Sequence, residues 1–183
     1  GVAERWAAEH AGTGAASPSE AVVDREVVIT SLPADPQLLD VADAIVERLS
    51  PGAIWVDHST TSAAAARAVA ERVADAGGSF LDAPVSGGVD GARNGTLTVM
   101  AGGDATAFEC VEPLMGAYAA RITLMGDSGA GQITKMTNQI CVVGLCQALA
   151  EGLDFAESAG LDVRRVIHVM LQGSSASWQM ANR

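Results

Sequence analysis

Cysteine is scarce in this sequence: Cys110, Cys141 and Cys146 are an odd set of 3 with no metal-ligand spacing, so no metal site is expected. Their number argues against a disulfide-stapled secreted scaffold and for a reducing compartment, the cytoplasm. Positive charge is scarce too. The 11 Lys and Arg residues are scattered among 22 Asp and Glu, for a net charge of −11, which leaves no basic patch to hold nucleic acid or an anionic membrane surface. No uninterrupted apolar run approaches the roughly 20 residues of a membrane span, and the start shows no basic-then-apolar signal pattern.

What is present reads as an alternation of short strands and helices. Residues 2–10 predict the end of an Ala-rich helix stopped by Gly12 and Gly14, and Ser17-Pro18 predicts a capped helix start. Val27-Val28-Ile29-Thr30 is a β-branched run, the pattern of a strand covered on both faces. Helix 36–48, strand 53–57, helix 62–76 and strand 79–83 continue the series, which predicts a parallel α/β sheet with right-handed crossovers. A strand at 95–101, a helix at 104–116 and a strand at 120–125 follow. From residue 128 the strand signal ends, and apolar residues at helical spacing run unbroken to 158. Gly160 ends that long helix and Asp162 caps the next. Two domains are expected: residues 1–126, α/β, and residues 127–183, a long helix and the beginning of an all-α domain.

Two segments concentrate the chemistry. Asp82-Ala83-Pro84-Val85-Ser86-Gly87-Gly88 is a strand end breaking into a glycine turn, where bare N–H groups and a serine hydroxyl can hold a small carboxylate. Gly129-Ala130-Gly131-Gln132-Ile133-Thr134-Lys135-Met136-Thr137-Asn138 opens a helix on which Lys135 and Asn138, three residues apart, share a face. A carboxylate cradle with a paired amine and amide suits chemistry on a small hydroxy acid. Gly129-Ala130-Gly131 is not a pyrophosphate turn, since Thr134 stands where a third glycine would.

These segments, with Leu32-Pro33, Asp57-His58-Ser59-Thr60, the run from Gly95 to Asp104, Ala159-Gly160-Leu161-Asp162 and Ser177-Trp178, resemble the β-hydroxyacid dehydrogenases over essentially the whole chain. The resemblance implies a Rossmann-type doubly wound sheet, a long interdomain helix and an all-α domain that supports a homo-oligomer, dimer or tetramer. Measured against that pattern the chain lacks the first strand and its glycine-rich turn, the first β-α-β segment, and most of the helical domain. Carried over by resemblance, Ser86, Gly87 and Gly88 hold the substrate carboxylate, Lys135 is the acid/base and Asn138 orients the substrate. Leu32, Pro33, Gln37 and Thr60 touch the cofactor, NAD or NADP, the discriminating residue lying upstream of Gly1. Gln139 stands where many members carry a second asparagine.

Plainer roles are expected for other residues. His58 and His168 read as structural, Cys141 and Cys146 as buried thiols on the apolar helix, and Asp82 as a holder of the turn that follows it. One of the hydroxyls in Ser59-Thr60-Thr61-Ser62 is an N-cap. Alternatives to a hydroxy acid dehydrogenase are an imine reductase of related architecture, a catalytically silent ligand-binding homologue or fragment, and a nucleosome-reading domain. The first and last generally lose the lysine, which is present here.

Overall fold

In a computed structural model describing residues 1–182, the chain groups into two compact units, Gly1–Lys135 and Met136–Arg183. The first holds helices α1 (Val2–His10), α2 (Pro18–Ala21), α3 (Asp35–Ile45), α4 (Ala63–Asp75), α5 (Gly88–Arg93) and α6 (Ala105–Met115). Its strands are β1 (Val27–Thr30), β2 (Ile54–Asp57), β3 (Ser79–Asp82), β4 (Val85–Ser86), β5 (Leu97–Gly102) and β6 (Ala119–Gly126). Helix α7 (Ala130–Ser158) starts in the first unit, and most of it lies in the second with α8 (Val163–Met170) and α9 (Trp178–Asn182).

The helix starts at Ser17 and Asp162 follow the caps read from the sequence, Ser62 is settled from a cluster of four hydroxyls, and Asp104 is a cap not named from the sequence. Ser17, Ser62, Asp104 and Asp162 each accept a hydrogen bond from a first-turn N–H, of Glu20, Ala65, Ala107 and Arg164 respectively. Ser62 is therefore the capping hydroxyl of its cluster, and Asp35 at the start of α3 in turn accepts from its N–H and hydroxyl at 2.7 and 2.5 Å.

The sheet is mixed, where a wholly parallel one was expected. Strands β1, β2 and β3 run parallel, but β5 is antiparallel to β3 and β4 and parallel to β6. The reason is the connection: β3 passes through Pro84 into the two-residue β4 and then α5, six residues long and too short for a right-handed crossover. Both β4 and α5 escape the sequence patterns. Strand β1 is also less covered than its β-branched run predicts, Ile29 remaining 45% exposed.

Strand alternation divides the core between the two faces. Trp55 and Phe80 point to the α3 and α4 side, edge to face at 5.2 Å, and pack with Leu38, Ile45, Val69 and Val73. Val56 and Leu81 point to the α6 side and pack with Val99, Phe108, Val111 and Met115. Helices on both faces make the sheet doubly wound.

In the second unit Ala156 is the one buried apolar residue among those described, and Ile140, Val143 and Phe155 are well exposed. Cys141 and Cys146 are exposed, contrary to the buried thiols expected, because none of the described residues packs over those positions of α7. By length and composition α7 is also the one helix among the described residues long and apolar enough to cross a membrane, although polar residues interrupt its apolar runs.

Candidate active site

Thr30, Asp57 and Asp82 stand in register across β1, β2 and β3 at the carboxyl ends of these parallel strands, the edge at which α/β sheets bind ligands. Asp57 is fully buried, and its Oδ1 accepts from the hydroxyls of Thr30 (2.7 Å) and Ser59 (2.6 Å) and from the Ser59 N–H (3.3 Å). Thr30 Oγ1 accepts from the Trp55 indole at 2.8 Å, and Ser59 Oγ accepts from the Leu32 N–H at 2.7 Å. This network ties the Leu32-Pro33 loop to the loop after β2. Asp57 Oδ2 has no partner among the described residues. Burial raises the Asp57 pKa, opposed by the hydroxyl bonds of Ser59 and Thr30.

Asp82 does not hold the turn after it, as expected, but the start of α7. Its Oδ1 accepts from Gly129 N–H at 2.6 Å and its Oδ2 from Gln132 N–H at 2.9 Å. A carboxylate at the positive end of a helix satisfies N–H groups that have no partner within the helix. Burial nonetheless outweighs these bonds and raises the Asp82 pKa. Gly131 is required there, because an added Cβ would drive into the carbonyl oxygens of Asp82 and Met100 and lie 2.9 Å from Asp82 Oδ2. The Gly129 and Gln132 N–H groups are thus committed to Asp82, in keeping with a helix start rather than a phosphate turn.

Gln132 is fully buried. Its Nε2 donates to Ser59 O at 2.8 Å and its Oε1 accepts from Thr61 N–H at 3.0 Å, gripping the backbone on both sides of Thr60. Lys135 follows three residues later, a spacing that puts it on the same side of the helix. It is 9% exposed, and among the described residues no carboxylate pairs with it. Burial lowers its pKa from the ordinary value.

The glycine turn leaves β4 with Gly87 at φ 127° and Gly88 at φ 63°, both in the region that favours glycine. Ser86 is half-buried, and a Cβ on Gly88 would meet nothing within 4 Å. Upstream, His58 is structural as expected: Nδ1 lies 2.6 Å from Ala83 O and Nε2 2.8 Å from the Tyr118 hydroxyl. With Nδ1–H donating to Ala83 O, Nε2 accepts from the Tyr118 O–H. Burial lowers the His58 pKa and raises that of Tyr118.

Of the residues singled out from the sequence, Leu32 is half-buried, and Pro33 and Thr60 are exposed on loops joined through Ser59. Gln37 is exposed on the first turn of α3, and no hydrogen bond among those described ties it to these loops. Lys135 is linked to the Thr60 loop by Gln132. Asn138, in the second unit, is half-buried and donates to Gln139 Oε1 at 3.0 Å. Sequence reasoning missed Gln132, Ser59 and the orphan oxygen of Asp57, whose roles rest on partners up to 73 residues away.

Residues 2–126 match the model of the NAD binding domain of 6-phosphogluconate dehydrogenase. Residues 129–183 match that of the NAD-binding domain of NADP-dependent 3-hydroxyisobutyrate dehydrogenase. An uncharacterized oxidoreductase of Shewanella frigidimarina is 47% identical over 99% of this chain and 63% of its own length. The 2-hydroxy-3-oxopropionate reductase of Escherichia coli is 39% identical over 83% of this chain and 53% of its own. Among solved structures, a Mycobacterium tuberculosis 3-hydroxyisobutyrate dehydrogenase with L-serine superposes with a TM-score of 0.88 at 33% identity, covering 96% of this chain and 60% of that one. The chain thus spans between about half and two thirds of the length of these relatives.

Proposed function

This chain belongs to the β-hydroxyacid dehydrogenase family, and from that premise we propose that the whole protein interconverts a small β-hydroxy acid and its semialdehyde or oxo acid by hydride exchange with NAD or NADP. The observation that carries the reading is Lys135, a buried amine without a carboxylate partner among the described residues, on a helix start pinned to the strand ends. A lysine in that setting loses its proton more readily than a solvated one, which is what a general base acting below pH 10 requires.

The residues suit the cofactor. Leu32, Pro33 and Thr60 lie half-buried or exposed at the carboxyl ends of β1 and β2, held as one set by the Ser59 hydroxyl, and would border the nicotinamide half, with Gln37 beside them. When bound, the nicotinamide supplies the hydride acceptor or donor. Lys135 Nζ takes the substrate hydroxyl proton as the carbonyl forms, and in reduction its ammonium donates to the developing alkoxide. Ser86 Oγ and the Gly87 and Gly88 N–H groups bind the substrate carboxylate through charge-assisted hydrogen bonds. Asn138 orients the substrate, a role resting on the resemblance.

Helix α7 is read as the interdomain helix, not a membrane span, since its first turns are committed to the sheet by Gln132 and Gly131. Its exposed Ile140, Val143 and Phe155 suit a homo-oligomer interface, and the acidic, cysteine-poor composition suits the cytoplasm.

The test is a substrate panel on the full-length protein: 3-hydroxyisobutyrate, L-serine, glycerate and 4-hydroxybutyrate, each with NAD and with NADP, followed by nicotinamide absorbance. Turnover of at least one of the three acids with a β-hydroxyl (3-hydroxyisobutyrate, L-serine, glycerate), with the corresponding alcohols lacking the carboxylate inactive, is expected. Turnover of none, or equal turnover of the uncharged alcohols, refutes the proposal.

A further inference from the structure

Gln132 is a residue to which the proposed chemistry assigns nothing, yet it is the largest fully buried uncharged polar side chain among the described residues. Burying an amide is costly unless its polar ends are paired, and here both ends grip one stretch of backbone. The Nε2 bond to Ser59 O and the bond from Thr61 N–H to Oε1 mimic a strand pairing across Thr60. Ser59 carries the link further, because its Oγ accepts from Leu32 N–H and donates to Asp57. On the other side, the Gln132 N–H donates to Asp82 Oδ2, which fixes the height of the helix start on the sheet. Lys135 is three residues further along, a rise of about 4.5 Å on the same side of the helix. One side chain therefore joins the two loops assigned to the cofactor to the turn that carries the acid/base.

We propose that Gln132 is a positioning residue that sets the separation between the cofactor loops at Leu32-Pro33 and Thr60 and the Lys135 amine. The inference rests on the functional reading given above, with Lys135 as acid/base and Thr60 at the cofactor. It goes beyond that reading because Gln132 touches neither substrate nor cofactor. Hydride leaves the carbinol carbon as the proton leaves its hydroxyl oxygen, so both acceptors must be placed together, and a misplacement near 1 Å can cost on the order of 100-fold in rate. The carboxylate cradle at Ser86, Gly87 and Gly88 does not hang on Gln132. A fault in Gln132 therefore moves the rate and the cofactor affinity, and leaves the affinity for the acid.

The test uses the full-length protein and two variants. Gln132→Met keeps the length and removes both polar ends, and Gln132→Glu keeps an acceptor for Thr61 N–H. Steady-state kinetics are run below the melting temperature of each, with circular dichroism confirming the native fold at the assay temperature. The expected result for Gln132→Met is a fall in kcat of about 10-fold or more and a rise in the cofactor KM, with the hydroxy acid KM within about 2-fold. Gln132→Glu keeps the Thr61 bond but turns an oxygen toward Ser59 O, so the same split, at least as large as that of Gln132→Met, is expected of it. A residue that only glues the fold together lowers the melting temperature and leaves these constants alone, so variants that melt earlier but match the wild type within 2-fold overturn the proposal. Should a variant fail to fold, Gln132→Asn takes its place. It is shorter by one methylene and keeps both partners only by drawing the Thr60 peptide about 1.5 Å toward α7, and the same split is expected of it. A wild type without NAD(P)-dependent turnover would instead refute the functional reading, and this inference with it.

Discussion

Replacing Gly131 with alanine opposes two effects of known size. Alanine is favoured over glycine inside a helix by about 1 kcal/mol, and Gly131 does not have positive φ, so at an open position the change would stabilise. Here the new Cβ would press on the backbone carbonyls of Asp82 and Met100, neither of which can rotate away. Restoring ordinary contact distance requires the start of α7 to retreat by about 1 Å. That retreat stretches the 2.6 Å and 2.9 Å bonds from Gly129 and Gln132 to the Asp82 carboxylate, each worth about 1.5–3 kcal/mol as a bond to a charged group. Their loss outweighs the propensity gain, and a net destabilisation of about 2–5 kcal/mol is expected. Urea unfolding of the full-length protein measures it, and kcat under native conditions should fall by one to two orders of magnitude as Lys135 moves with the turn. A Gly131→Ala protein as stable as the wild type, or more so, with unchanged kcat would refute the reasoning.

Other outcomes follow from the same site. Ser86→Ala should raise the hydroxy acid KM several-fold with kcat within about 3-fold; an unchanged KM would remove Ser86 from the carboxylate site. Lys135→Met should abolish turnover yet raise stability at pH 7 by about 1 kcal/mol, since it removes a desolvated, unpaired ammonium; calorimetry showing a lower melting temperature would contradict this. Asp57→Asn keeps the Oδ1 acceptor and removes a carboxyl whose pKa is raised by burial. A raised pKa contributes stability that is full below about pH 3.9 and is lost as pH rises through the folded value. The variant should therefore gain on the wild type as pH climbs from 4 to 7, and urea midpoints that diverge the other way would sink the argument.

Much of this was legible locally. Ser17 and Asp162 are caps because a hydroxyl or carboxylate beside a helix start needs only the next few residues to act, and Lys135 with the Ser86-Gly87-Gly88 turn was marked by its motifs. Strand direction was not legible, since nothing in residues 95–101 records that Pro84 and a six-residue α5 return the chain without a crossover. The partners of Asp82 lie 47 and 50 residues on, so sequence placed it at a strand end without showing that it anchors α7. Gln132 reads as one polar residue of a helix start until the fold closes Ser59 and Thr61 over it. The thiols of Cys141 and Cys146 were read as buried from an apolar helix, but apolarity says that a face seeks a partner and does not say that the partner is in the chain.

The central claim is that Lys135 moves the proton in a nicotinamide-dependent oxidation, and it is tested most directly by kcat of full-length wild type and Lys135→Ala on the best hydroxy acid, with nicotinamide cofactor binding titrated by fluorescence in the same preparations. The account predicts that Lys135→Ala binds the cofactor as the wild type does and turns over at least 1,000-fold more slowly, on the order expected for a lost proton-transfer group. Turnover within 10-fold of the wild type by a folded, cofactor-binding Lys135→Ala protein would contradict it.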